Sequence, residues 1–148
     1  MKIKRFSFAL VFIELLMIFL ILLTGPLVAQ KTPLLLLEIL GAGLGLWAVI
    51  TMFRQSRYGL FVEIGPRVKL VTTGPYHFIH HPMYTSILLM VLALIWNYPT
   101  LTRIIFGLVL LADLIFKIKL EEKLLIKHFG EDYLNYQKKT NHLIPFIY

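Results

Sequence analysis

Residues 82–116 read PMYTSILLMVLALIWNYPTLTRIIFGLVLLADLIF, two apolar runs with a brief polar break between them. The first run, Met83–Tyr98, starts directly after Pro82, a residue that suits the first turn of a helix because its missing N–H is not needed there. The second run is Leu101–Phe116. So short a connection predicts an antiparallel helical hairpin. Each run is shorter than the roughly 20 residues that cross a bilayer core, so we expect protein contacts or local thinning to help.

Two longer apolar runs come before this hairpin. They are Phe6–Val28, interrupted by Glu14 and closed by Gly25-Pro26, and Pro33–Phe53. Of the 148 residues, 58% are hydrophobic and 16% are charged, and the mean hydropathy is +0.77. A water-soluble domain has roughly 25% charged residues and no place to bury such an apolar excess. The sequence therefore predicts an all-α fold, an integral membrane helical bundle with about four transmembrane helices.

The lysines and arginines lie almost entirely on one side of the predicted spans. Only Lys31 and Arg103 fall on the opposite side. The other thirteen of the fifteen are Lys2, Lys4, Arg5, Arg54, Arg57, Arg67, Lys69, Lys117, Lys119, Lys123, Lys127, Lys138 and Lys139. Because basic residues favour the cytoplasmic side, both termini are predicted to be cytoplasmic, and the net charge of +7 is attributed to topology. No nucleic acid is expected as a partner, and the lack of cysteine excludes disulfides and thiolate sites.

An alternative interpretation of the N-terminus is a secretory signal peptide that ends at Ala29. Its apolar run is longer than the roughly 7–15 residues of such a signal, and its removal would leave an odd number of spans. We therefore expect an uncleaved first helix.

The whole chain, residues 1–148, is predicted to form a single membrane domain. Residues 1–56 form an N-terminal helical hairpin, and residues 57–148 carry almost all of the reactive side chains. In Leu124–Tyr148 apolar residues alternate with charged ones, which indicates interfacial amphipathic helices at the C-terminus.

Gly130 is expected to divide that last stretch into two short helices. The first ends near Phe129, and the second begins at Glu131-Asp132, whose charges suit a helix N-terminus. The apolar tail Leu143–Ile147 is expected to fold back beneath these amphipathic helices.

Three carboxyl side chains, Glu14, Glu38 and Asp113, lie within apolar runs. An ionised carboxylate there is costly unless it is paired or faces a polar interior. One interpretation is a substrate or proton pathway. The other, favoured for Glu14 and Glu38, is a set of hydrogen-bonded carboxyls that hold helices together.

Gly41, Gly43 and Gly45 suggest part of a dinucleotide-binding fingerprint, but that motif needs another glycine at position 46, which is Leu46, and a preceding strand. Close helix packing through small residues explains the three glycines better.

Polar and reactive side chains are concentrated at the predicted cytoplasmic face. The first such stretch is residues 69–84, KLVTTGPYHFIHHPMY. This stretch ends at a helix N-terminus, where free N–H groups favour an anionic ligand group. Its aromatic and histidine side chains suit a nucleotide-like ligand that carries a carboxylate or phosphate. His77, His80 and His81 are possible zinc ligands, but no His-Glu-x-x-His pattern supplies a third ligand, and no metal is predicted.

The second polar stretch is Lys117–Lys123, where the last predicted span leaves the membrane. Lys117 and Glu121 are four residues apart, which predicts an ordinary intrahelical ion pair. Glu122 lies on another side of the helix. One of the two glutamates is therefore expected to face the bundle while the other faces water.

Several motifs in this half resemble those of one enzyme family. They are Leu70–Tyr76, His81-Pro82-Met83-Tyr84, Glu121-Glu122, and Phe129–Tyr136 with Pro145-Phe146-Ile147. In order and spacing they are similar to the isoprenylcysteine carboxyl methyltransferases, with the related phospholipid methyltransferases. The resemblance covers Lys69–Tyr148. It implies an integral membrane enzyme that transfers a methyl group from S-adenosylmethionine in a cytoplasmic pocket, with residues 57–148 as the methyltransferase-like half.

The resemblance also assigns roles by position. The cofactor-binding residues that it implies are Leu70, Val71, Tyr76, His80, His81, Tyr84 and Glu122. Lys117 and Glu122 are implied to be catalytic, near the acceptor. Three positions depart from the family pattern, which usually has arginine at His80, glycine at Ser86 and arginine at Lys117. Because lysine cannot clamp a carboxylate at two points as arginine does, the choice between O- and N-methylation stays open.

The resemblance implies carboxyl O-methylation of an isoprenylcysteine-type substrate, a lipid-like or prenylated molecule that enters from the bilayer. One alternative is a phospholipid or amine N-methyltransferase. Another is an NADPH-dependent steroid-reductase-like enzyme, although those proteins commonly have asparagine where this chain has Met83. A third is a non-enzymatic membrane scaffold. We expect a multi-pass protein of a bacterial or archaeal cell membrane rather than of an organelle membrane.

Overall fold

The structure, a computed structural model, describes residues 2–55 and 69–141. Its elements are α1 (Lys2–Leu23), α2 (Thr32–Gln55), a 3-10 helix (Gly74–His77), α3 (Pro82–Asn97), α4 (Leu101–Phe129) and α5 (Glu131–Gln137). Within those two ranges the chain has no strand, only one isolated bridge between Ile79 and Asn141. The predicted all-α fold is therefore confirmed there. Arg57, Arg67 and the tail Leu143–Ile147, including the motif Pro145-Phe146-Ile147, lie outside the described residues.

The connection between α3 and α4 is as short as the sequence suggests, only Tyr98–Thr100. Near this connection Ile95 lies against Gly107, and far from it Tyr84 bonds to Glu121. The first contact pairs late α3 with early α4 and the second pairs early α3 with late α4, so the helices run antiparallel. The predicted hairpin is confirmed.

Helix α2 packs closely against α3 through two of its glycines. A Cβ atom on Gly41 would lie 2.9 Å from Cγ of Met90, and one on Gly45 would lie 2.7 Å from Oγ of Ser86. Close helix packing is thus confirmed at these two positions. It is wrong for Gly43, which has open space around it, because two residues turn an α-helix by more than half a circle.

Helix α1 runs antiparallel to α4. The carbonyl of Ile21 accepts a hydrogen bond of 3.2 Å from the buried guanidinium of Arg103, and Glu14, earlier in α1, pairs with Lys117, later in α4. Between these contacts lies the main apolar core, built from α1, α3 and α4. Its buried members are Ile21, Val91, Leu94, Leu110 and Leu114.

Helix α4 is longer than the predicted span. It runs unbroken from Leu101 to Phe129, so residues 124–129 are its last turns and not a separate short helix. The prediction of two helices after residue 124 is therefore wrong for the first of them. Nothing breaks the helix before Gly130, because the intervening lysines, glutamates and leucines are good helix formers. Gly130, with φ of +58°, ends α4, and α5 begins at Glu131 as predicted.

Much of the surface of α1 to α4 is apolar. Phe12, Phe53, Trp96 and Leu108, one from each helix, are all more than half exposed. Within the described ranges, one helix, Thr32–Gln55, is long and apolar enough to cross a membrane, while Ser7–Leu23 and Pro82–Asn97 are shorter apolar helices. Exposed apolar surface of this extent marks a site of contact with other apolar material.

Candidate functional site

Stretches that are distant in sequence meet around a cavity of about 350 Å³. Seven of the eight predicted site residues line it: Leu70, Val71, Tyr76, His80, His81, Tyr84 and Lys117. The eighth, Glu122, contacts both histidines but does not line the cavity. The fold therefore brings the predicted residues together, and their individual roles stay predictions.

The 3-10 helix places Tyr76 in the cavity wall. It starts at Gly74, whose φ of +60° is in the left-handed region, and Pro75 takes its first turn. A Cβ on Gly74 would lie 2.8 Å from Oγ1 of Thr51, so both backbone conformation and space require glycine here. Buried Val71 and Tyr76 then pack against Ala48 of α2.

Helix α5 closes the cavity on another side. The hydroxyl of Tyr136 donates a hydrogen bond of 2.6 Å to the carbonyl of Tyr76, and its ring lies 5.3 Å from that of His80. The amide of His80 donates to the carbonyl of Asn141 at 2.8 Å, which ties the end of the described chain to the same place. Tyr133 and Tyr136, which line the cavity, were not among the predicted site residues.

Both glutamates of the Glu121-Glu122 pair turn inward. Glu121 accepts a hydrogen bond from the hydroxyl of Tyr84, and its carboxylate lies 3.6 Å from Nδ1 of His81. Glu122 lies 3.4 Å from Nε2 of His81 and 3.6 Å from Nδ1 of His80. The expectation that one of them faces water is wrong, because histidines at two successive positions meet two successive glutamates.

Glu121 lines the cavity, which the sequence did not predict. Burial raises the pKa of its carboxyl group above the usual range, and His81, the Tyr84 hydroxyl and Lys117 partly oppose this. Burial also raises the pKa values of Tyr76 and Tyr136, so both hydroxyls stay protonated at neutral pH. From the sequence alone, Glu121 could not be distinguished from its neighbour.

Lys117 pairs with Glu14 of α1, and its ammonium lies 5.1 Å from the ring centroid of Tyr84. The predicted ion pair between Lys117 and Glu121 is wrong, since Glu121 is engaged by Tyr84 and His81. The interpretation that Glu14 and Glu38 are hydrogen-bonded carboxyls that hold helices together is confirmed for Glu14, whereas the partner of Glu38 lies in the connection before α2 and not in another helix. Glu38 accepts a hydrogen bond of 2.8 Å from the amide of Ala29, and Glu14 joins α1 to α4.

His80, His81 and Glu122 also form a group that could hold a metal ion, since one ligand atom from each lies within 4.8 Å of the others. His77 is exposed and takes no part in this group. The prediction of no metal rested on the lack of a third ligand in the sequence pattern, and the fold supplies one from α4. Two histidines and one carboxylate are a ligand set that zinc accepts in proteins.

The cavity wall combines two kinds of surface. Carboxylates, histidines and tyrosine hydroxyls can hold a ligand that has positive and polar groups. Apolar side chains from α1, α2 and α3, among them Leu15, Met52 and Ile87, can contact a hydrocarbon chain. The volume is near the lower end of the roughly 300–1,000 Å³ typical of small-molecule sites. The site is thus suited to binding both polar and apolar chemical groups.

Comparison with known proteins adds a family match. Residues 34–132 match the family model described as phospholipid methyltransferase. A methanethiol S-methyltransferase from Crocosphaera subtropica is 31% identical over 105 residues, which cover 70% of this chain and 37% of that protein. A probable protein-S-isoprenylcysteine O-methyltransferase from Oryza sativa subsp. indica is 30% identical over 120 residues, 76% of this chain and 60% of that protein.

Protein-S-isoprenylcysteine O-methyltransferase B from Arabidopsis thaliana is 29% identical over 116 residues, 74% of this chain and 56% of that protein. The chain thus spans less than two thirds of the length of each of these curated relatives.

Proposed function

Because this chain belongs to the phospholipid methyltransferase family, we propose that it is a membrane methyltransferase that takes its methyl group from S-adenosylmethionine and gives it to a lipid-like acceptor. The observation that carries this proposal is the common cavity. Residues from the loop before α3, from α4 and from α5, far apart in sequence, surround one space that has both polar and apolar walls.

The residues around the cavity fit S-adenosylmethionine. The ligand has a sulfonium and an ammonium, which need carboxylates, and Glu121 lines the cavity with Glu122 behind His81. Its adenine needs flat side chains, which Tyr133 and Tyr136 supply. When bound, it supplies an electrophilic methyl group. The protein's part in such a transfer is to position both ligands and to exclude water.

The acceptor that we propose is the carboxyl group of an isoprenylcysteine-type molecule. Two relatives named as protein-S-isoprenylcysteine O-methyltransferases support it, as do the apolar residues in the cavity wall. A carboxylate is already nucleophilic and needs no general base. In this proposal Lys117, the buried cation of the wall, orients the acceptor, and Glu122 holds the two histidines beside the cofactor.

A second candidate is S-methylation of a thiol. It is favoured by the relative named methanethiol S-methyltransferase and by the carboxylate that already neutralises Lys117. An amine acceptor would give N-methylation and would first have to lose a proton, for which Glu122 and His80 are the candidates.

We propose further that all four long helices cross the membrane. Gly41 meets Met90 and Gly45 meets Ser86, so α2 is antiparallel to α3. α1 and α3 therefore run one way and α2 and α4 the other, the alternation that successive crossings require, and most of the basic residues that the structure describes lie toward the end that holds the cavity. Residues 1–148 then form one multi-pass membrane domain, with its active site and both termini on the cytoplasmic side. In this proposal residues 1–56 supply the first hairpin and residues 57–148 the methyltransferase-like half, while side chains of α1 and α2 complete the cavity wall.

Calorimetry in detergent tests the cofactor. The purified protein should bind S-adenosylmethionine, and Glu121→Gln should weaken binding about tenfold or more because a charged partner is lost from a buried site. Glu38→Gln, which alters a carboxyl group bonded to Ala29 outside the cavity wall, is the matched control and should bind normally. Absence of binding by the unaltered protein would rule out this donor.

Product chemistry tests the acceptor. The protein is incubated with radiolabelled S-adenosylmethionine, total membrane lipids and an S-prenylcysteine, and the labelled product is treated with base. A base-labile label identifies a methyl ester, as proposed. A base-stable label on a thioether or an amine would contradict carboxyl O-methylation and would support S- or N-methylation instead.

A further inference from the structure

Glu14 of α1 places a second carboxylate in the cavity wall, directly against Lys117. The side chain of Glu14 is 11% exposed and that of Lys117 is 4% exposed, and the carboxylate accepts a hydrogen bond from the ammonium. Among the lining residues that the structure describes, the other lysine or arginine is Lys69, which is exposed. Lys117 is thus the buried cation of the described wall, and it already has an anion.

Holding α1 to α4 does not require this ion pair. Ile21 of α1 and Leu110 and Leu114 of α4 belong to one buried apolar cluster that joins the same two helices. A buried ion pair adds little net stability, since the loss of hydration offsets the attraction between the charges. Because both Glu14 and Lys117 line the cavity, their ion pair is placed to act in ligand binding.

We propose that Glu14 occupies, on Lys117, the position that the carboxylate of the acceptor takes during turnover. Glu14 is then a positioning residue that controls acceptor binding, and the inference rests on the carboxylate acceptor of the proposed function. The tethered side chain presents the same chemical group as that acceptor. Two carboxylates at one ammonium repel each other, so an acceptor carboxylate has to displace Glu14 to reach Lys117.

Two other carboxyl groups of α4 lie within one turn of Lys117. Asp113 precedes it by four residues, Glu121 follows it by four, and both interact with it electrostatically. Glu121 is bonded to Tyr84. In Glu14→Gln, Asp113 is therefore the carboxylate left to compete for the ammonium.

The test compares an N-acetylated S-prenylcysteine that has a free carboxylate with its carboxamide, both measured by direct binding in detergent. Glu14→Gln should bind the carboxylate about tenfold more tightly than the unaltered protein, because a buried ammonium without a partner strongly favours an anion. Binding of the carboxamide should not change. In turnover, KM for the carboxylate should fall while kcat changes by less than about threefold.

Further variants and a matched control define the effect. Glu14→Asp, which keeps the charge on a shorter side chain, should give a smaller gain and stands in if Glu14→Gln does not fold. Glu14→Gln/Asp113→Asn should bind the carboxylate at least as tightly as Glu14→Gln. Lys117→Gln should lose the preference for carboxylate over carboxamide, with or without Glu14→Gln. Glu38→Gln, a carboxyl group in α2 outside the cavity wall, should leave both affinities unchanged.

The inference is overturned if Glu14→Gln, with normal binding of S-adenosylmethionine, leaves carboxylate affinity unchanged or weakens both compounds equally. Either result would make Glu14 a purely structural partner of Lys117. Failure of the proposed function looks different, since the unaltered protein would then not bind S-adenosylmethionine or would yield no base-labile product. Direct binding reports on Lys117 and Glu14 in either case.

Discussion

The hydroxyl of Tyr136 in α5 donates a hydrogen bond of 2.6 Å to the backbone carbonyl of Tyr76 in the 3-10 helix. Sixty residues separate the two in sequence, and both are buried in the cavity wall. The bond links α5 to the loop before α3. Because both side chains line the cavity, its shape depends on this link.

Tyr136→Phe should lower stability by about 1–3 kcal/mol, since it removes the hydrogen bond and leaves the buried carbonyl of Tyr76 without this donor. The ring next to His80 is kept. Thermal unfolding in detergent measures the loss, and calorimetry should show weaker binding of S-adenosylmethionine. Tyr136→Leu, which also removes the ring, should weaken binding further. Equal binding of S-adenosylmethionine by the unaltered protein and by both variants would show that Tyr136 of α5 does not contribute to the site.

Gly41 and Gly43 make a matched pair for helix packing. Gly41→Ala should destabilise the protein by about 1–3 kcal/mol, because its Cβ would lie 2.9 Å from Cγ of Met90 and 3.1 Å from the backbone oxygen of Ser86. Gly43→Ala meets nothing within 4 Å and should be neutral or stabilising by up to about 1 kcal/mol. Unfolding temperatures in one detergent compare the two. Similar temperatures for both variants would contradict the packing of α2 on α3.

Arg103 should matter for stability and not for the site. Its guanidinium is fully buried and donates to the carbonyls of Tyr98 and Ile21 at 3.1 and 3.2 Å. Lysine keeps the charge but lacks the planar fork, so Arg103→Lys should cost about 1.5–3 kcal/mol for one lost charged hydrogen bond. Exposed Arg54→Lys is the control and should unfold normally. A normal unfolding temperature for Arg103→Lys would show that the buried bonds are dispensable.

Apolar runs and connection length were sufficient to predict the helices of the bundle. The short link after Asn97 determines that α3 and α4 are antiparallel, and residue type alone indicates that Gly130 breaks the helix. Periodicity could not show which glycine faces α3, because Gly41, Gly43 and Gly45 are equally small. It also did not show that residues 124–129 continue the helix that includes Lys117–Lys123, since alternating apolar and charged residues fit a separate interfacial helix equally well.

The site was predictable where motifs were local and not where pairing crosses between helices. Residues 70–84 could be identified as a group because they are close in sequence. The partner of Lys117 could not, since Glu14 is 103 residues away and no spacing rule connects them. Which of Glu121 and Glu122 lines the cavity depends on the rotation of α4 about its axis relative to α3. The packing of the whole bundle determines that rotation.

The raised pKa of Glu121 should make binding of S-adenosylmethionine depend on pH. Burial raises this pKa, so in the free protein the carboxyl group stays protonated above its usual range, and folding stability falls as pH rises through the raised pKa. A bound sulfonium favours the ionised form and lowers the pKa again. Binding therefore releases a proton, and affinity should rise with pH by at most about tenfold per unit until Glu121 is ionised in the free protein.

Calorimetry across this range measures the slope. The part of the slope that is due to Glu121 is the difference from Glu121→Gln, while exposed Glu131→Gln on α5 should keep the full slope. Equal slopes for Glu121→Gln and the unaltered protein would show that this carboxyl group does not face the cofactor.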